Sequence, residues 1–303
     1  MKSFDVIILG AGPAGLSAAI YSSRAGAKTA VIEPLMSGGQ INLTPEIENF
    51  PGFLKIGGAE LGQKMLEHAE VSGAEFIYDE VISVDLNRKE VKGGEDTYTA
   101  KSIVIATGAS PRKLGLLNEE SFIGAGIHFC GLCDGAFYKD KNLIVVGGGN
   151  HGVEEAIYLS KIAKSVILIT NTSKLTAQKA LVDELPKDIK IHFNSQITAI
   201  NGTKTVESVT LSGNIPAFPI DVTDKVGVLP CDGIFVAIGR VPNTNMFKNQ
   251  IQMTPEGYVI VDKNMATSLP NVFAAGDIID KTVRQVITAC SDGAIAGTYA
   301  AKI

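Results

Sequence analysis

"FDVIILGAGPAGLSAAIYSSRAGAKTAVIEP", residues 4–34, reads as strand, glycine-rich turn, helix and second strand. Phe4 to Leu9 is a nearly continuous apolar run, the pattern of a parallel strand buried on both faces. Gly10, Gly12 and Gly15 follow as G-x-G-x-x-G. The first two allow a tight turn and close backbone approach to a pyrophosphate. The third lets the helix pack on the strand, with the helix N-terminus facing the phosphate charge. "TAVIEP" then ends in Glu33, roughly twenty residues after Gly10, a spacing at which an acid reaches a ribose 2′-hydroxyl. A glycine-rich turn alone is a weak signal in a chain with 32 glycines. With the strand, the helix and the terminal acid in agreement, it reads as a dinucleotide-binding unit.

The unit occurs twice. "KNLIVVGGGNHGVEEAIYLSKIAKSVILIT", residues 141–170, predicts a strand over Leu143 to Val146, a turn with Gly147, Gly149 and Gly152, a helix to about Lys161, and a strand over Ser165 to Thr170. The offset that led from Gly10 to Glu33 leads here to Thr170, followed by Asn171, Thr172 and Ser173. No acid stands ready for a free 2′-hydroxyl and no Arg for a 2′-phosphate. The second scaffold is kept without its selectivity residue.

Towards the C-terminus, "NVFAAGDIID" predicts an apolar strand ending at Gly276 and Asp277, and "VRQVITACSDGAIAGTYAAKI" a closely packed small-residue helix. The expected architecture is α/β, with two Rossmann-like domains, the second inserted in the first. The first domain takes residues 1–112 and 241–303, and the inserted one, carrying the cysteine pair, takes 113–240. "ASPRKLGL" and "AIGRVPNT", each with Gly, Pro and Arg, are the crossings and the expected hinges.

Composition narrows the function. A formal charge of −5 argues against general nucleic-acid binding. No apolar run approaches the roughly 18 residues of a membrane span. Asp5 and the glycine turn interrupt what would be a signal-peptide core, so a cytoplasmic protein is expected. Four cysteines are too few for a disulfide scaffold in 303 residues. "HFCGLCDGAFY" sets Cys130 and Cys133 as C-x-x-C with Asp134 adjoining. A metal site would need a second pair or further ligands, which His128 alone does not complete. Cys231 and Cys290 read as buried small hydrophobes. A reversible disulfide is the better reading for Cys130 and Cys133, with Asp134 as local acid or base. Because a disulfide takes two electrons that side chains do not store, a flavin is expected between donor and disulfide.

Seven segments, in order, carry a resemblance: "GAGPAGLSAAIYSSRAG", "GGQINLTPEIENFPGF", "IVIATGASPRKLGL", "CGLCDGAF", "GGGNHGVEEA", "VAIGRVPNT" and "FAAGDIIDKTVRQVITACSDGAIA". Over essentially its full length the chain resembles the low-molecular-weight thioredoxin reductases. The resemblance implies a homodimer with FAD held by Gly10, Gly12, Pro13, Ala14, Gly15, Glu33, Gly39, Gln40, Asn49, Ala106, Thr107, Gly108, Gly276, Asp277, Arg284, Gln285 and Val286. It implies Cys133 as the thiol beside the flavin, Cys130 as the one that attacks thioredoxin, and Asp134 as the acid.

Two departures stand out. The family usually follows its second unit with a His-Arg-Arg-like cluster and a further Arg for the NADPH 2′-phosphate, where this chain has "TNTSKLTA". His151 occupies a position in the turn where a small residue is usual. Lys174 offers a point charge without Arg's fork geometry. Each lost charge-assisted bond is worth about 1.5–3 kcal/mol. On this ground the chain resembles the ferredoxin-dependent flavin thioredoxin reductase branch, with reduced ferredoxin as the expected donor and NADPH as the alternative. An acidic ferredoxin would dock on a basic patch, for which Arg112, Lys113, Lys139, Lys141, Lys161 and Lys164 are candidates.

Overall fold

The computed structural model describes residues 1–44, 46–213 and 226–302; Pro45 and Ile303, both within stretches quoted above, lie outside them. Two compact units are present, one of residues 1–110 and 241–303, the other of residues 111–240.

The first unit grows from β1 (Lys2–Leu9), α1 (Pro13–Arg24) and β2 (Thr29–Ile32). β1 starts two residues before the apolar run, because Lys2 and Ser3 still pair with the neighbouring strand. Further along come α2 (Gly58–Val71), β3 (Glu75–Ile77), β4 (Val81–Asp85), β5 (Glu90–Gly93), β6 (Thr97–Ile105) and the short β7 (Ala109–Pro111). The sheet order is β3-β2-β1-β6-β5-β4. β1 is parallel to β2 and β6, and β5 runs antiparallel to the start of β6. Both faces of β1 are apolar for the reason its sequence suggests. Val6 and Ile8 pack with Leu16 and Leu61 of the helices, whereas Ile7 and Leu9 pack with Ile103, Ile105 and Phe247 on the other face.

The second unit contains α3 (Glu119–Phe122), β8 (Ile127–His128), α4 (Gly131–Asp134), β9 (Asn142–Val146), α5 (Asn150–Ser160), β10 (Ser165–Ile169), α6 (Lys179–Asp183) and β11 (Lys190–His192). β12 (Ser195–Gly202), β13 (Val206–Gly213), β14 (Val226–Pro230) and β15 (Gly233–Val236) follow, and β16 (Arg240–Pro242) spans the return to the first unit. The five-stranded sheet of the second unit has the order β11-β10-β9-β15-β8, and every pairing in it is parallel. Leu143 and Val145 of β9 pack on Val153, Ala156 and Leu159 of α5. Ile144 and Val146 face Val209 and Leu211 of the antiparallel β12-β13-β14 layer.

The chain then returns to the first unit, where β17 (Val272–Ala274) pairs with the end of β6 and α7 (Val286–Ala300) lies along α1. "NVFAAGDIID" holds a shorter strand than its apolar run predicts. Gly276, at φ +83°, turns the chain out of extended geometry into a 3₁₀ turn over Gly276–Ile278. Small residues explain the α1–α7 approach. A Cβ on Gly293 would lie 2.0 Å from the Ala14 carbonyl oxygen, and one on Gly297 would lie 2.3 Å from that of Ala18.

Candidate active site

In the first unit the expected cofactor residues gather at the carboxyl edge of the parallel strands, where ligands bind in open α/β sheets. Gly10 follows β1, Glu33 follows β2, Ala106 to Gly108 follow β6, and Gly276 and Asp277 follow β17. Gly10 has φ +100° and a Cβ there would lie 2.6 Å from the Ala106 carbonyl oxygen. A Cβ on Gly15 would meet the Gly10 carbonyl oxygen at 1.9 Å, which gives the third glycine its packing reason. Gly12 faces open space and is the N-cap of α1, whose first turn has Pro13 but no acid and no capping side chain. The free amides of that turn suit an anion.

Glu33 is held in place by two backbone amides: Ala11 N–H donates to Oε2 and Leu35 N–H to Oε1, each at 3.1 Å. Asn49 and Gln285, distant in sequence, meet where Asn49 Nδ2 donates to Gln285 Oε1 at 3.0 Å. Gln40 donates to the Ala109 carbonyl. Gln285 and Thr288 form a capping box at the start of α7, whose first residue is Val286. Asp277 lies 3.9 Å from Lys281. Arg284 stacks over Tyr258 at 4.4 Å and donates to the Lys281 carbonyl, while its buried Nε has no hydrogen-bond partner. Open glycine turn, uncapped α1 terminus, fixed acid and an orphaned guanidinium nitrogen fit a dinucleotide with a pyrophosphate and a ribose. Sequence reasoning missed Tyr258, which carries no motif.

In the second unit Cys130 and Cys133 form a disulfide with Cα atoms 5.3 Å apart. Cys130 is the N-cap of α4, and Cys133 N–H points at its Sγ from 3.2 Å. Asp134, one residue on, places Oδ2 3.1 Å from His128 Nδ1, and His128 Nε2 lies 2.8 Å from the Tyr138 hydroxyl. His128 is buried and stacked on Phe235. From the opposite side Glu155 Oε2 accepts the Gly131 N–H at 2.6 Å. Burial, helped by the charges of Glu154 and Asp134 and opposed by the Gly131 bond, pushes the Glu155 carboxyl up to about 7. Sequence reasoning passed over Glu155 and the role of His128. Glu155 had a signal, since it falls with Gly152, Ala156 and Leu159 on the buried face of α5. Cys231 is buried as expected, whereas Cys290 is only partly buried. Burial pushes the Cys231 thiol up to about 12 and raises that of Cys290, which favours the thiol over the nucleophilic thiolate at both. Among the described residues no cluster of His, Cys, Asp and Glu is suited to a metal.

The second glycine turn repeats the geometry of the first. A Cβ on Gly152 would lie 2.0 Å from the Gly147 carbonyl oxygen. What surrounds it differs. Thr176 N–H donates to the Gly148 carbonyl at 2.8 Å, and Gln178 N–H donates to Asn150 Oδ1 at 2.8 Å. Thr170 and Thr172 hydroxyls bond each other at 2.8 Å, and that of Thr172 reaches the Lys174 carbonyl at 2.7 Å. The loop that stands in place of an arginine cluster is bonded to itself and to the turn. His151 is half-exposed, and burial and then the Arg240 charge lower its pKa.

Residues 4–293 match the family described as pyridine nucleotide-disulphide oxidoreductase. The chain is 44% identical over 305 residues to the thioredoxin reductase of Listeria monocytogenes, covering 99% of itself and 94% of that protein. The chain belongs to the low-molecular-weight thioredoxin reductase family. Its cofactor, as for the family, is FAD. The solved structure of thioredoxin reductase from Streptococcus pyogenes matches with a TM-score of 0.78 and 38% identity, covering 99% of this chain and 97% of that one. A ferredoxin-flavin thioredoxin reductase from Clostridium acetobutylicum matches with a TM-score of 0.53 and 27% identity, covering 100% and 98%. The expected placement in the ferredoxin-dependent branch is therefore not supported, because the more similar proteins are named simply thioredoxin reductase. The expected basic patch is also thinner than its residue count. Lys113 pairs with Glu120, and Lys141 lies 3.7 Å from Asp232. No described helix is long and apolar enough to cross a membrane.

Proposed function

We propose that the chain is a cytoplasmic, homodimeric thioredoxin-disulfide reductase that draws its electrons from NADPH without the usual arginine cluster. The observation that carries the reading is the Cys130–Cys133 disulfide at the start of α4 with the hydrogen-bonded Asp134 adjoining it. Relatives that share up to 44% identity and bear the name thioredoxin reductase support the substrate, and the match to the family described as pyridine nucleotide-disulphide oxidoreductase supports a pyridine nucleotide as donor.

In this reading Gly10, Gly12, Pro13, Ala14, Gly15 and Glu33 hold the adenosine and pyrophosphate end of FAD. Gly39, Gln40, Asn49, Ala106, Thr107, Gly108, Gly276, Asp277, Arg284, Gln285 and Val286 complete the site. FAD, when bound, supplies the electron pair that opens the disulfide. Cys133 would be the sulfur that accepts those electrons. Cys130, released as a thiolate, attacks a thioredoxin disulfide, Cys133 resolves the mixed disulfide, and Asp134 holds and returns the proton. Cys130→Ser and Cys133→Ser should each abolish thioredoxin reduction while FAD remains bound. Sustained turnover by either variant contradicts the reading.

A second reading, reduced ferredoxin as donor, is favoured by one observation: Thr170, Thr172 and Thr176 stand where a 2′-phosphate would need cations. It gains the upper hand if reduced ferredoxin sustains thioredoxin reduction and neither NADPH nor NADH does.

A further inference from the structure

Behind Asp134 lies a chain of hydrogen bonds that the reaction outlined above does not use. His128 sits at the end of β8, 8% exposed, with Tyr138 edge-on at 5.1 Å and Phe235 stacked at 5.3 Å between ring centres. These rings fix the imidazole plane. Its two nitrogens then have one partner each, Asp134 Oδ2 at 3.1 Å from Nδ1 and the Tyr138 hydroxyl at 2.8 Å from Nε2. One neutral tautomer satisfies both: Nδ1–H donates to the carboxylate and Nε2 accepts from the Tyr138 O–H. The same order of donors, ending on a carboxylate, holds imidazoles in other enzymes that move protons.

We infer that His128 is a positioning residue for the disulfide chemistry: it fixes the Asp134 carboxyl beside Cys133 and connects it to Tyr138 as a proton path. The inference rests on the reductase reading of Cys130, Cys133 and Asp134. When a thiolate attacks the disulfide, the Cys130–Cys133 bond breaks and one cysteine sulfur leaves with the electron pair. Asp134 and His128 Nδ1 share the proton that this sulfur takes. As Nδ1 gives up its proton, Nε2 takes one from the Tyr138 hydroxyl, which regains its own from water; when the cysteine thiol is next deprotonated the proton travels back along the same path and restores the starting tautomer.

The groups around this path set its resting state. Burial and the negative charges of Asp134 and Asp232 keep Tyr138 protonated, which fixes its O–H as the hydrogen-bond donor to Nε2. On α5, Glu155 faces the same turn through the Gly131 amide and feels the Asp134 charge, with His151 4.0 Å from its other oxygen. Lys141 lies 3.7 Å from Asp232, one of the acids whose charge Tyr138 feels, and Lys139 adjoins Tyr138 in the chain. Phe235 on β15 contributes no charge.

The test uses the full chain with FAD bound and dithiothreitol as the reductant, which needs neither thioredoxin nor a nucleotide. Opening of the Cys130–Cys133 disulfide is followed by trapping free thiols between pH 5.5 and 9. Rates of each variant are divided by those of the unaltered protein, which removes the pH dependence of dithiothreitol itself. His128→Ala should lower the rate about tenfold or more, with a ratio that varies with pH. His128→Asn can still donate to Asp134 but cannot pass a proton. It should recover part of the rate and keep the altered pH profile. Tyr138→Phe should show the same altered profile with a smaller loss. A pH-independent ratio near one for His128→Ala, or an unaltered profile in His128→Asn with full rate, overturns the inference. Because thioredoxin is absent, such a result leaves the reductase reading standing. That reading fails separately, if the unaltered protein does not reduce thioredoxin.

Discussion

Single side chains decide the chemistry, and two of them carry charges the fold must manage. Glu155 is 9% exposed, and its carboxyl holds a proton up to about pH 7 instead of releasing it near 4.5. A folded pKa above the unfolded one means that folding favours the protonated acid. No penalty exists below about pH 4.5, and it grows as pH rises to about 7 and is fully present above that. A shift of this size is worth about 3 kcal/mol. Glu155→Gln keeps an acceptor for the Gly131 amide, so it should raise the melting temperature at pH 8 and leave it unchanged near pH 4.5. Thermal unfolding at both pH values checks this. Glu33 is an acid that two backbone amides hold at the end of β2. Glu33→Ala should weaken FAD retention roughly tenfold to a hundredfold, about 1.5–3 kcal/mol, measured by fluorescence of released flavin. At the second turn, Asn171→Arg with Thr172→Arg should tighten NADPH relative to NADH at least tenfold, since each charge-assisted bond exceeds the roughly 1.4 kcal/mol of one decade. Equal affinities in a binding titration would show that the 2′-phosphate does not lie against this loop.

Elements explain why these side chains meet. The glycine turns were legible because their meaning is local: strand, turn and helix are contiguous, and a Cβ at Gly15 or Gly152 would strike the backbone five residues earlier. The approach of α1 to α7 was legible only in part, as a run of small residues whose partner the sequence did not name. Gly293→Ala should cost at least about 1–3 kcal/mol, because the added carbon has only the backbone of Ala14 to push against. FAD should be lost with it, since Ala14 lies in the first turn of α1. A melting curve and a flavin-to-protein ratio together read the outcome. The contacts behind the disulfide were illegible for a physical reason. Glu155 and Gly131, 24 residues apart, meet only when α5 packs against α4. Asp134, His128 and Tyr138 come from a short helix, a two-residue strand and a 3₁₀ turn that no periodicity announces.

At the scale of the whole chain, one scaffold is used twice with different outcomes. In the first unit, Glu33, the open glycine turn and the α1 terminus converge on one edge of the sheet. In the second, the equivalent turn carries a loop bonded to itself, while α5 presents Glu155 to the Gly131 amide between the two cysteines. The absence of a selectivity residue was readable at Thr170, but the sequence did not reveal what the absence meant for the donor. The match of residues 4–293 to the family described as pyridine nucleotide-disulphide oxidoreductase favours a pyridine nucleotide. In the proposed reaction electrons pass from NADPH through the flavin and Cys130–Cys133 to thioredoxin. Its most direct test is anaerobic: NADPH is added to the oxidised protein, flavin absorbance is followed, and oxidised thioredoxin is then added. The flavin should bleach, its colour should return with thioredoxin, and two thioredoxin thiols should appear for each NADPH consumed. Flavin that stays oxidised with NADPH, or bleached flavin that thioredoxin does not restore, contradicts this route.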